Sequence, residues 1–572
     1  MFAALQLCDK IVPHNSHGRP GGPTLPIHAW QTSPPGHAEG APMARLVHIL
    51  AAVCAALVLT QCGAPHSQQA HHSRHVPLRS RKPAPELLST ARGAWTILAD
   101  PARRNEWPAA ERTYDSATAK LFDRLACGNN LADTAASLGT RLAPADRGSA
   151  DPLQIPYLYP ARSINPGMSA HKHTSPGIGV PVVGWTPETR STPANRDFTP
   201  PRGMQSNHTA VLTFPPGKPP VWEFHEPLRI DQVRIGPTTH PLAADWTTAL
   251  DYYWHMSRLK RYSIPNVLVP DRFLDDTGLF FAQPYDPAKI PVVFVHGLKS
   301  SAAAFGPMAD HLLAEPWFRQ HYQIWFFNYP TGLHWLYNAA VFRDDMQRAA
   351  RYARAHGGAR TLSHMVVVAH SMGGIITRAS VSDPGHILYN NLFTTPFEKL
   401  PLNPEARAEA SRMLFWKPLP EPKRIVYLAV PHRGSPMADR FFAIWISDAI
   451  HLPKRLTVDF VDLLRNDASP KFFHWSKANS LPTSINGLSP ATPIIRSLQQ
   501  MPIRPDIRYH SIIGDLGRGN SPHSSDGVVP YWSSHLDKAD SERIIPAYHG
   551  LTAHPQTINE VTRILRLHLP PG

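Results

Sequence analysis

Cysteine is almost missing from this chain, with four in 572 residues: Cys8, Cys54, Cys62 and Cys127. No pair of them has zinc-ligand spacing and no HExxH occurs, so no metal site is legible and none is expected. A formal net charge of +14 would suit nucleic acid, but no RNP, zinc-finger or helix-turn-helix signature accompanies it. The basic excess reads instead as a solvated face or an attraction to anionic lipid. Between 91 and 265 no repeat of solenoid period is found. The apolar run at 46–59 is short of the roughly 20 residues that span a bilayer.

Proline is abundant, 61 in all, and concentrated before residue 290, which points to loop and linker there. A chain of 572 residues is too long for one core, and two domains with appendages are expected. Residues 1–42 are rich in Pro, Gly and His without apolar periodicity and read as a non-native or disordered extension. Residues 43–62 have the layout of an export signal: Met43 and Arg45 as the positive start, 46–59 as the apolar stretch. Leu59-Thr60-Gln61-Cys62 resembles a lipobox, which implies a lipidated Cys62, a bacterial cell-envelope location on the periplasmic or surface side, and a membrane anchor. Processing at Cys62 would leave Cys127 as the one free thiol, so no intrachain disulfide could form.

Residues 63–90 are rich in His, Arg and Pro and read as a tether. From 91 to 265 the pattern suggests an accessory α+β domain. There 107–126 is helical in phase, 180–185, 210–214 and 220–235 are strand-rich, and 241–262 is again helical.

The chemistry lies beyond residue 266. Residues 365–374, MVVVAHSMGG, are an apolar strand running through Ser371 into a helix, with small residues at Ala369 and Gly373. That is the layout of a nucleophile elbow, here AxSxG, and it makes Ser371 the candidate nucleophile. Upstream, VVFVHGLKSS (292–301) is a β-branched strand without alternation, as a central parallel strand should be, and it ends in His296-Gly297-Leu298. A glycine there lets a backbone N–H turn toward the serine. Leu298 and Met372 are therefore the candidate oxyanion donors. Further strand candidates occur at 322–332, 423–435, 508–515 and 541–550, and an amphipathic helix at 557–567 closes the chain. Strand and helix alternate in the rhythm of a doubly wound, mostly parallel sheet.

The motifs VFVHGL, FFNYPTG, VVVAHSMGG, LAVPHRGS and SSDGVVP, with the His549 loop, resemble the α/β-hydrolases of the bacterial lipase and esterase kind. They are related in pattern to GPI-inositol deacylase-like proteins. The resemblance runs from Thr277 to Leu569. It implies an α/β-hydrolase domain over 266–572, with Asp526 as the orienting acid and His549 as the base, in the chain order Ser…Asp…His. Asp515, at the end of a strand, is the rival acid, and its alternative role is to cap a turn. His554, before Pro555, is the rival base, and its alternative is a loop residue beside a helix start. His535 reads as surface. His370, inside the elbow, has little freedom to ligate a metal, while His296 and His432 follow strands and read as structural, with hydrogen bonds to neighbouring loops.

Two stretches between core elements, 382–422 with the apolar 413–416 cluster and 437–505, read as cap or lid insertions, with ordinary core helices as the alternative. The functional expectation is a serine hydrolase of carboxylic esters, of lipid or other hydrophobic acyl type, working through an acyl-enzyme. It needs no cofactor, binds no nucleic acid, and has a small-molecule ester or lipid as its partner. An acyltransferase or amidase would use the same triad, and a non-catalytic envelope lipoprotein is the third reading.

Overall fold

The computed structural model describes residues 82–569, apart from 129, 144–148, 151–153, 165–171, 192–195, 258–272 and 438–487. The chain divides into units 1–69 and 70–572. The first unit, with Cys62 and the export-signal reading, lies outside the described residues, as does most of the second candidate lid. No helix among the described residues is long and apolar enough to cross a membrane.

The described chain opens with helix α1 (Ala84–Leu98), which starts inside the segment expected to be a tether. Its apolar face, Leu87, Ala91, Ala94 and Leu98, is buried at helical spacing. Helix α2 (Trp107–Ala126) follows. Both lie on an antiparallel sheet ordered β4-β3-β2-β1, formed by β1 (Tyr157–Pro160), β2 (Val180–Thr186), β3 (Met204–Thr213) and β4 (Val221–His225). Leu121, Phe122 and Leu125 of α2 meet Val180, Val182, Leu212 and Trp222 in one cluster.

Helix α3 (Thr248–Ser257) begins later than the apolar pattern from 241 suggests. The Asp245 carboxylate accepts the Thr247 and Thr248 N–H groups, which sets the start where an N-cap side chain can satisfy the free donors. This N-terminal layer shares a compact unit with the rest of the described chain. Phe198 stacks on Phe281 at 4.7 Å, and Leu250 and Trp254 of α3 join the core of the following sheet.

That sheet has seven strands in the order β5-β7-β6-β8-β9-β10-β11. They are β5 (Gly278–Phe281), β6 (Ile290–Val295), β7 (Tyr322–Asn328), β8 (Met365–His370), β9 (Pro422–Leu428), β10 (Arg508–Gly514) and β11 (Ser541–Ile545). Strand β5 is antiparallel to β7 and every other pairing is parallel. Strands β6, β7 and β8 are buried at every residue, which explains their unbroken apolar sequences: both faces are covered.

Alternate residues serve opposite faces. Val293, Val295, Trp325, Phe327, Val367 and Tyr427 enter one core with helices α5 (Trp335–Ala355) and α6 (Met372–Val381). Val292, Phe294, Ile324, Phe326, Val366 and Val426 enter the other with α4 (Gly306–Ala314) and the last helix, Pro555–His568. The fold is α/β with a doubly wound, mostly parallel sheet.

The first insertion, 382–422, packs as core. Helix α7 (Pro404–Leu414) buries Ala406, Ala410, Met413 and Leu414 in the same cluster as α5 and α6. The Trp416 indole N–H is shared between the Ala379 and Ser382 carbonyls, and the Arg343 guanidinium covers its ring at 4.2 Å. The 413–416 cluster therefore packs into the core beside α6. Of the second insertion, residues 488–505 are described, and α8 (Pro493–Gln500) adds Ile494, Ile495 and Leu498 to this core.

Candidate active site

Ser371 stands between the last residue of β8 and the first of α6, with φ +54° and ψ −124°. A side-chain-bearing residue rarely takes such a backbone, and holding it there costs on the order of 1–3 kcal/mol. The neighbours that enforce it are specific. The Ser371 N–H donates to Leu428 O of β9 at 2.9 Å, and its carbonyl accepts the Gly374 N–H at 2.9 Å. A Cβ on Gly373 would lie 2.5 Å from Val295 O and nearer still to His296 O. A Cβ on Gly297 would lie 2.8 Å from His370 Nδ1 and 2.9 Å from Ser371 Cβ. The glycines of both motifs thus exist because two turns touch at the serine.

His549 Nε2 lies 2.9 Å from Ser371 Oγ, and His549 Nδ1 lies 2.7 Å from Asp526 Oδ2. Asp526 is 1% exposed. Its other oxygen, Oδ1, accepts the Val528 and Val529 N–H groups at 2.8 and 2.7 Å, and the His549 N–H donates to Asp526 O. A buried carboxylate held by two amides and an imidazole has the hydrogen bonds that buried charge requires. The turn 526–529 is therefore a cradle for this one side chain.

Leu298 and Met372 carry backbone N–H groups with no acceptor among the described residues. Met372 opens α6, where the helix dipole favours negative charge. The Gly297 contact brings the Leu298 turn against the serine. Two free amides beside a serine that is bonded to an imidazole are suited to a negative oxygen on an attacked carbonyl.

The other histidines separate clearly. His296 Nδ1–H donates to Gly297 O at 3.0 Å, its Nε2 accepts the Tyr329 N–H, and its ring stacks on Tyr329 at 4.2 Å. Burial pushes it down to about 4, so it is a neutral brace for the turn. His370 Nε2–H donates to His549 O at 2.9 Å. Burial first, and His549 second, push it down to about 3, so it adds no positive charge beside the His549 ring. This clasp on the His549 carbonyl has one signal in the sequence, a ring adjacent to Ser371.

His432 departs from expectation. Its carbonyl accepts Arg378 Nη1, while neither ring nitrogen has a partner. The ring packs edge-on against Tyr427 instead.

The rivals are placed elsewhere. Asp515 accepts the Gly517 and Ser524 N–H groups and the Ser524 hydroxyl, closing a turn. His554 Nδ1 accepts the Gln556 N–H at the start of the last helix. His535 bridges Tyr531, Glu542 and Asp537.

A serine hydroxyl on an imidazole whose far nitrogen meets a buried carboxylate is set up to lose its proton as it attacks. No family model and no curated protein matches this chain. Among solved structures it is similar to the mature form of the Bacillus licheniformis lipase BlEst2, at 18% identity and a TM-score of 0.30, over 50% of this chain and 97% of that one. It is also similar to Thermogutta terrifontis esterase 2, at 13% identity and a TM-score of 0.26, over 51% and 91% of the two chains. The metagenomic carboxyl esterase MGS0156 gives 15% identity and a TM-score of 0.26, over 50% and 77%.

Proposed function

We propose that this protein is an α/β-hydrolase that cleaves carboxylic esters through an acyl-enzyme on Ser371. The observation that carries the reading is the continuous path from Ser371 Oγ through His549 to Asp526, at 2.9 and 2.7 Å. Ser371 Oγ attacks the ester carbonyl carbon while its proton passes to His549 Nε2. Asp526 holds the proton on Nδ1 and steadies the imidazolium. The oxyanion takes hydrogen bonds from the Leu298 and Met372 N–H groups. The C–O bond then breaks, and the leaving alcohol receives the proton from His549. Water, deprotonated by the same imidazole, repeats the attack on the acyl-serine and releases the acid.

Hydrophobic acyl esters, lipids among them, are the substrates we assign. An acyltransferase or amidase would share every step up to the acyl-enzyme and differ in the group that attacks it or leaves. We also propose that Cys62 carries a lipid anchor holding the protein at the cell envelope, on the strength of Leu59-Thr60-Gln61-Cys62. Steady-state hydrolysis of p-nitrophenyl esters of rising chain length tests the activity. Turnover by the wild type that is abolished in Ser371→Ala is expected, and equal turnover by both would reject it. Membrane fractionation of Cys62→Ser tests the anchor, and unchanged fractionation would reject it.

A further inference from the structure

Below the loop that follows β9 lies a group of buried polar atoms without partners among the described residues. Arg378 sits on α6, about two turns past Ser371, and is 7% exposed. Its Nη1 donates to His432 O at 3.3 Å, and its Nε has no partner. The Tyr427 hydroxyl and both ring nitrogens of His432 are also unpartnered. The two rings meet edge to face with centroids 4.6 Å apart, and both residues are buried. Among the described residues, the charged and phenolic groups that face Arg378 are Tyr427, Tyr509 and Arg433, with no carboxylate among them.

This combination is costly as it stands. A guanidinium keeps its charge in a protein, and an unpaired buried charge costs several kcal/mol. Burial, with Arg378 and Arg433 nearby, holds His432 neutral, so the imidazole retains one N–H. Burial likewise keeps the Tyr427 hydroxyl protonated. What gathers here is a cation, an O–H and an N–H, and the acceptors beside them, the His432 carbonyl, its second ring nitrogen and the Tyr427 oxygen, are all uncharged. Water would supply acceptors but no charge.

We propose that Arg378, Tyr427 and His432 bind one small monovalent anion, of halide size, in the interior beneath the β9 loop. Such a site would also stiffen the support of the acid. Residues 432–435 are stitched to the loop that carries Asp526: the Arg433 N–H donates to Ser533 Oγ, Ser533 Oγ–H to Gly434 O, and Ser435 Oγ–H to Val528 O.

The test is thermal unfolding of the purified protein in sodium chloride, sodium bromide and sodium gluconate at equal ionic strength, independent of any ester assay. The halides should raise the midpoint by on the order of 2 °C over gluconate, by binding the folded state alone. The rise should vanish in Arg378→Met and shrink in Tyr427→Phe, a change that keeps the ring and the cation. In crystals grown with bromide, an anomalous peak should stand between Arg378 and Tyr427. Identical midpoints in all three salts would overturn the proposal, and so would a halide shift undiminished in Tyr427→Phe. If Arg378→Met fails to fold, the wild-type comparison and Tyr427→Phe still decide.

Discussion

Replacing Asp526 by asparagine separates the charge of this side chain from its packing. In the wild type, Oδ1 accepts the Val528 and Val529 N–H groups and Oδ2 faces His549 Nδ1 at 2.7 Å. In Asp526→Asn the amide oxygen can keep both backbone bonds, which leaves the NH2 group toward His549. Two donors cannot meet, so the imidazole must offer Nδ1 as an acceptor and carry its proton on Nε2. Nε2 then donates to Ser371 and cannot receive its proton. The serine loses its base, and the imidazolium loses its counter-charge. The expected loss in kcat is roughly 10⁴-fold, equivalent to about 5.4 kcal/mol of barrier. Stability should move by no more than about 1 kcal/mol, because the Val528 and Val529 donors stay satisfied. Steady-state kinetics on a short p-nitrophenyl ester, with a thermal melt beside it, measures both. A folded variant keeping more than about a tenth of the wild-type kcat would refute this role for the carboxylate.

Other outcomes follow from the same geometry. His549→Ala and Ser371→Ala should lose activity to a similar extent, since triad members act as a unit, while His554→Ala should stay within a few-fold of wild type; the reverse ranking in a kinetic comparison would displace His549 as the base. Gly373→Ala should destabilise by roughly 1–3 kcal/mol or more through its clash with the Val295 and His296 carbonyls. Gly93→Ala, in a helix with nothing within 4 Å of the new Cβ, should stabilise by roughly 0.5–1 kcal/mol; denaturant titrations of the two variants check the contrast. Burial holds His208 and His296 down at about 4, and His334 and His370 down at about 3. The unfolded chain, with histidines near pH 6.5, binds more protons in that window. Stability is therefore full above about pH 6.5 and lost as pH falls toward 4 and 3. Urea midpoints between pH 7 and 4 should fall accordingly, and a flat profile would contradict the neutral assignment.

The centre of the sheet and the elbow were legible because their physics is local. Strands buried on both faces read as unbroken runs such as VVFV and MVVVAH, and a serine turn that needs small neighbours writes Ala369 and Gly373 into the chain. Strand β5 was missed: four residues on an edge, paired antiparallel, leave too short a pattern. Helix α1 was hidden inside a stretch whose His, Arg and Pro content argued for a tether, although Pro83 leads directly into its first turn. Asp515 and Asp526 look alike in sequence, each a carboxylate in a turn after or between strands. Only the fold distinguishes the one that reaches His549 from the one that caps Gly517 and Ser524. The 413–416 cluster was ambiguous for a similar reason, since apolar residues in an insertion can face a substrate or a core. The unpartnered His432 ring could not be read at all, because nothing in PHRGS states which side of the loop is buried.

The measurement closest to the central claim is covalent labelling with a fluorophosphonate ester, read by intact mass and by mapping the modified peptide. One phosphonyl group per chain on Ser371, absent in Ser371→Ala and slowed by orders of magnitude in Asp526→Asn, is the predicted result. A folded wild type that takes up no label, or takes it up at a residue other than Ser371, would contradict the account.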